Sequence, residues 1–377
     1  MKENLVVSAS PHITKPDHSV LRIMIDVLIA LCPCVIAAVF WFGYGVVINI
    51  VVAVGACIGF ELLYDAGVRG KFKKGCMKDA SIKDGSAAVT GVILALNFPT
   101  FLKVEAWDFN IYRSGIKVPT VADIVFSFDT VIMLIIASAF AIVLVKMLCG
   151  GIGKNFVNPA AAGRVFAFMT VSLAAVQTVG LGLDATTGAT WLSGQTNGAD
   201  GTVLYNMFIG HTGSAAVGET CVIAAIVGYV YLVVRKVIDF RLPLVIVGSA
   251  FVFALLFDGI GGVVDGTLET AADVFMNAAA HVLSGGLIFG AVYMATDYAT
   301  SPNTVWGRVI FGVGIALITM LIRVYASAPE GMSFAILIMN IVTPLIDRYV
   351  YPRPFGYKKP EKTKKPEKAG SKEGSAA

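Results

Sequence analysis

Apolar runs long enough to cross a bilayer recur along almost the whole sequence, and no other feature restricts the fold so severely. A lipid interior offers the backbone no hydrogen-bonding partner, so a spanning segment must be a helix or part of a closed barrel, and runs of about 17–25 apolar residues have helical length. Bounded by charge, glycine or proline, the runs give ten expected spans, near 22–44, 45–65, 84–102, 123–147 and 156–176, then 217–236, 242–260, 278–299, 305–326 and 330–349. Of the 377 residues, 56% are hydrophobic and only 14% charged, and the mean hydropathy is +0.78, which excludes a soluble globular domain. The first run is long enough to span a bilayer and too long for the apolar part of a cleaved leader, so the whole chain is expected to be mature protein.

Charge sets the expected orientation. Arg69, Lys71, Lys73, Lys74, Lys78 and Lys83 crowd one loop against Asp79, and residues 351–377 form a basic tail rich in Lys, Glu and Pro that reads as solvated and disordered. Both belong on the cytoplasmic side, as does the segment 1–21. No Lys or Arg occurs between Arg164 and Arg235 or between Arg241 and Arg308, so the acidic loops there face outward. Lys103, Arg113 and Lys117 fall on the outer side in this scheme, against the same tendency.

Five spans (22–176) before a long outer loop (177–216) and five after it (217–350) start from opposite sides of the membrane. Any likeness between the halves is therefore an inverted repeat. Asp84 to Pro99 and Leu283 to Pro302 are alike: each begins small and glycine-rich, runs apolar, and ends in a polar break with proline. Both occupy the third span of their half, although small-residue helices resemble one another by chance in any membrane protein.

Four groups of residues could carry chemistry. In GKNFVNPAAAGRVF, Asn158 is placed to cap the fifth span and Pro159 suits its first turn, leaving a helix N-terminus able to hold an anionic or electron-accepting group. Arg164 is a charge inside that apolar helix, either part of the same site or a snorkelling side chain. Asp297, among Thr296, Thr300 and Ser301, reads equally as a cation or proton site and as an interfacial cap for the next helix. Asp26, Glu61, Asp129 and Glu219 are acids near span ends with nothing further to single them out. The fourth group is DATTGAT, Asp184 to Thr190, in the charge-poor outer loop. By itself it is an ordinary turn; in an exposed loop, with no histidine or lysine beside it, Thr190 suits modification by another enzyme better than catalysis. The six cysteines and four histidines show no metal-ligand spacing or disulfide framework, so no metal is expected in this chain alone.

DATTGAT resembles a flavinylation motif, and GKNFVNPAAAGR, DGSAAVTGVILALNFP, GSAAVGET, MATDYATSP, SPHI and PLIDRYVYPRPFG resemble segments of one family. It is the family of the D subunit of the Rnf electron-transport complex and of the B subunit of the sodium-pumping NADH:quinone reductase. The resemblance implies an all-α integral membrane fold of about ten helices in two inverted five-helix repeats, similar to urea transporters. It implies FMN esterified through its phosphate to Thr190 by an extracytoplasmic flavin transferase, within a motif that includes Asp184, Gly188 and Ala189. It also implies a second, noncovalent flavin, riboflavin, with Asn155, Asn158 and Arg164 in its environment, and Asp297 on an ion pathway. The implied activity is electron relay in a ferredoxin:NAD+ oxidoreductase complex that moves Na+ or H+ outward across a prokaryotic cytoplasmic membrane. Its partners are the other subunits, the transferase and the bilayer, with no nucleic acid.

A different class of function, a channel or facilitator for a small polar solute, is suggested by the half-repeats and by Asn158-Pro159-Ala160. A water channel repeats that triplet in both halves, whereas the second half here offers Ser301-Pro302-Asn303.

Overall fold

The computed structural model describes residues 19–42, 45–68, 84–98, 102–104, 124–126, 128–175, 201–210, 218, 221–259, 270–326 and 331–351. Nearly all of these are helical. In chain order the helices are α1 (Val20–Phe42), α2 (Gly45–Gly67), α3 (Ser86–Leu96), α4 (Phe128–Ala139, continued by the π-helical Phe140–Met147) and α5 (Pro159–Ala175). There follow α6 (Gly201–Ile209), α7 (Val222–Val234), α8 (Arg241–Ala254, continued by the π-helical Leu255–Gly259) and α9 (Ala271–Leu283). The series ends with α10 (Leu287–Met294), whose π-helical part is Gly290–Met294, then α11 (Val305–Tyr325) and α12 (Gly331–Tyr349). A short antiparallel pair, Leu102–Val104 with Ile124–Phe126, brings Lys103 opposite Val125.

Four of these helices, α1, α2, α11 and α12, are long and apolar enough to cross a membrane individually, and the bent pair α9–α10 makes a fifth. The others are shorter than a bilayer's apolar thickness, which takes about 20 helical residues. Two expected spans are corrected. The third, near 84–102, is a helix of only 11 residues, opened by Gly85 and closed by Asn97. The eighth, near 278–299, is two helices meeting at 54°. Gly85 (φ 71°) and Gly286 (φ 64°) are both left-handed, a conformation that costs glycine little and other residues more, and each stands immediately before a short helix. Run length records hydropathy and is blind to such a turn.

Packing follows the rules of a lipid solvent. Small side chains occupy the interfaces, with Ala30, Ala38, Ala53, Ala137, Ala141, Ala161, Ala225 and Ala250 all buried, while Ile36, Val51, Leu63, Val234 and Ile341 point outward. Helix α1 packs on α7, α2 on α3 and α4, α8 on α11, α11 on α12, and α5 on α12. The α1–α7 contact is also joined at one end by Arg235, whose Nη2 lies 3.2 Å from both carboxylate oxygens of Asp26, and by the Tyr231 hydroxyl, which donates to Asp26 at 3.1 Å.

Tyr293 of α10 donates its hydroxyl to the Ala30 carbonyl at 2.7 Å, and Gly228 of α7 makes the room: a Cβ there would lie 1.8 Å from Tyr293 Oη and 2.3 Å from Ala30 O. Gly228→Ala is therefore expected to cost about 1–3 kcal/mol or more by overpacking, read as a fall in the temperature at which the detergent-solubilised chain loses its monodisperse peak. Adding Tyr293→Phe should recover part of the loss, because it removes the nearer clash and leaves the backbone one.

Candidate functional site

Two interruptions of the helical core face one another: the connection from α4 to α5, and that from α10 to α11. The first ends at Asn158, whose side-chain oxygen accepts from the backbone N–H of Ala160 (2.9 Å) and Ala161 (3.2 Å), capping α5 as expected. Its amide nitrogen donates to the Met294 carbonyl at 2.9 Å, at the C-terminal end of α10 where helical carbonyls lose their own partners. One residue thus satisfies backbone groups on both interruptions. Asn155 makes a second crossing, donating to the Val157 carbonyl (3.2 Å) and to Asp297 Oδ2 (3.3 Å).

Asp297 also accepts from the Thr300 hydroxyl and the Ala299 N–H, both at 3.4 Å, so it organises its own turn. It does not cap the following helix. Thr304 does that, accepting from Gly307 N at 3.0 Å.

Beside these crossings lies a partly open cleft of about 810 Å³. Its walls are mostly apolar, from α1, α3 and α7, and its polar groups come from Ser86, Thr90, Lys146, Asn155, Asn158 and Asp297. Few polar groups in an apolar wall is the usual constitution of a site for a small organic ligand. The Ser86 hydroxyl is buried with no hydrogen-bond partner among the described residues, an atom that a ligand could satisfy. Together with the carboxamide groups of Asn155 and Asn158 and the Thr90 hydroxyl, it forms a set of donors and acceptors that fits the polar edge of a flat heteroaromatic ring such as a flavin.

Of the residues expected at a flavin or ion site, the structure brings Asn155, Asn158 and Asp297 together. Arg164 is buried but does not line the cleft: its guanidinium donates to Asn97 Oδ1 at 2.7 Å, and Asn97 in turn donates to the Ile93 carbonyl and contacts Met294 Sδ. Snorkelling is thereby excluded, since the charge points into the protein. Asp184, Gly188, Ala189 and Thr190 lie outside the described residues, as do the basic loop and the tail.

Sequence reasoning passed over Ser86, Thr90 and Lys146. The signal for Lys146 was slight: a lysine just inside the end of an apolar run, where snorkelling is the ordinary explanation.

Broken helices whose ends meet at a polar cleft inside an apolar core define a class, the multi-pass membrane proteins that build their sites from discontinuous helices. Within that class the chain belongs to the NQR2, RnfD, RnfE family, whose profile matches residues 6–107 and 126–356. It is 33% identical over 362 residues to the D subunit of the Na(+)-translocating ferredoxin:NAD(+) oxidoreductase complex of Acetobacterium woodii, covering 94% of this chain and 96% of that protein. It is likewise 33% identical to the proton-translocating counterpart of Clostridium ljungdahlii, covering 95% and 98%. The D subunit of the ion-translocating oxidoreductase complex of Marinobacter nauticus is 28% identical, covering 94% and 96%.

Proposed function

We propose that this chain is the D subunit of an ion-translocating ferredoxin:NAD+ oxidoreductase complex and relays electrons within it, carrying FMN on Thr190 and riboflavin in the cleft. The observation that carries the reading is similarity along nearly the full length of both partners to proteins named for that role. The flavins would supply one- and two-electron redox chemistry, and the chain's part is to hold and tune them. Asn155 and Asn158 would fix the ring edge, with the Ser86 hydroxyl as a further partner, and the apolar wall would exclude water. Attachment at Thr190 keeps a cofactor at hand where its free concentration is low, since tethering makes binding intramolecular.

The architecture we infer is two inverted five-helix repeats. Its support is that α3 and α10 are both short, both follow a left-handed glycine, and both stand third in their half. With the termini and the 69–83 loop in the cytoplasm, the 177–216 loop lies outside, within reach of an extracytoplasmic flavin transferase, and the cleft opens toward the cytoplasm.

The test is made on the full chain, coexpressed with the transferase and precipitated with acid. Riboflavin should appear in the supernatant and FMN remain with the protein, in about equal amounts. Protein free of both overturns the relay reading and favours the solute channel. Orientation is tested separately: in intact cells Gly194→Cys should react with an impermeant thiol reagent in a background lacking native cysteines. Reaction only in broken cells would reverse the assigned sides.

A further inference from the structure

Lys146 and Glu61 form an ion pair with Nζ and Oε1 2.8 Å apart, both side chains almost wholly buried. Charges inside apolar helices are costly and are kept where they act. Helix packing does not account for this pair. The face of α2 that carries Glu61 buries Asn49, Ala53, Cys57, Glu61 and Asp65 at four-residue intervals. Helix α8, second in its group of five as α2 is in the first, buries Leu242, Ile246, Ala250 and Ala254 at the same interval. Apolar side chains therefore suffice to build such a face in this protein, and the polar ones of α2 have another cause.

Lys146 supplies a connection. It lies in the π-helical stretch Phe140–Met147, and it lines the cleft together with Thr90, Asn155 and Tyr293, the last from the π-helical stretch Gly290–Met294. π-Turns inside helices occur often at functional sites. The same ammonium group is thus held by Glu61 on α2 while its side chain forms part of the cleft wall.

We propose that the Lys146–Glu61 pair sets the charge balance of the cleft, Lys146 favouring negative charge on the group held there and Glu61 limiting that effect. The proposal rests on the reading of the cleft as a flavin site. A group that accepts an electron becomes more negative. In a low-dielectric surrounding a nearby ammonium favours that change, and a carboxylate beside the ammonium offsets it. The two residues should then act with opposite sign. A pair that served only folding would act with one sign, since removal of either partner strands a buried charge.

The test uses the full chain carrying Thr190→Ala, so that no covalent flavin contributes, purified in detergent, saturated with riboflavin and titrated spectroelectrochemically. Glu61→Gln should raise the reduced-to-oxidised ratio at fixed potential by a factor of about ten, equivalent to about 59 mV for a one-electron step. The milder Glu61→Asp keeps the charge but draws it back by one methylene, and should raise the ratio by a smaller factor. Lys146→Met should lower the ratio about as far as Glu61→Gln raises it, Lys146→Arg should leave it near the starting value, and Lys146→Met/Glu61→Gln should return it there. Shifts of the same sign from both residues overturn the proposal, as does riboflavin that stays bound with an unchanged ratio. Where the two charge-removing single variants do not fold, an unchanged ratio in Glu61→Asp overturns it as well. A starting chain that binds no riboflavin overturns the cleft reading and this proposal together.

Discussion

The Thr190→Ala chain, taken from cells that also make the flavin transferase, is expected to run as a dark band on a denaturing gel where the unsubstituted chain fluoresces. The loss should be complete, because a phosphoester to one hydroxyl has no substitute. Thr186→Ala, four residues earlier in the same loop, should stay fluorescent, since the Thr-Gly-Ala-Thr run from Thr187 to Thr190 is intact. The hydroxyl is a substrate and not a nucleophile activated by the chain, because neither histidine nor lysine neighbours it in the sequence. A control without the transferase should therefore be dark as well. Fluorescence surviving in Thr190→Ala would place the attachment elsewhere, and a dark unsubstituted chain would remove covalent flavin from the mechanism. Riboflavin recovered from the acid supernatant should be unchanged by Thr190→Ala, because the cleft is built without the outer loop's motif.

Asn158→Ala should give the reverse pattern, with covalent FMN retained and riboflavin affinity reduced at least about tenfold, the equivalent of about 1.4 kcal/mol. The substitution removes the cap of α5, a loss of about 0.5–2 kcal/mol. It also leaves the Met294 carbonyl without its 2.9 Å donor, and an unsatisfied buried acceptor costs about 1–3 kcal/mol. Both losses fall on the wall of the cleft, so binding and thermal stability should fall together. Asn158→Asp separates them: it keeps the cap and adds favourable charge at a helix N-terminus, but it cannot donate to Met294 O. Its stability should lie above that of Asn158→Ala while riboflavin affinity stays low. If Asn158→Ala binds riboflavin as well as the unsubstituted chain, the flavin does not depend on this residue, and the proposed cleft site loses its central contact.

The helices legible in the sequence were those whose evidence is local. Runs of apolar residues located α1, α2, α11 and α12 to within a few residues, and Asn158-Pro159 marked the start of α5 correctly. The third and eighth spans were misjudged because Gly85 and the pair Gly285–Gly286 interrupt apolar stretches without changing their hydropathy. Arg164 was visible as an anomalous charge, but its partner Asn97 lies 67 residues away and carried no mark of its own. Asp297 was singled out among hydroxyls, and Thr300 does contact it, yet its contact with Asn155 spans 142 residues.

The sequence by itself determined a helical membrane protein, its family likeness, the cap at Asn158 and the outer-loop threonine that a flavin transferase could recognise. Those features depend on hydropathy, capping and motif spacing, which are properties of neighbours along the chain. Only the tertiary structure decided that Asn158 also reaches Met294, that Arg164 turns to Asn97 and away from the cleft, and that Lys146 stands between Glu61 and the cleft wall. The physical reason is that a buried polar group must find its partner wherever packing brings one, and in this fold the partners come from other helices, 67 to 136 residues distant.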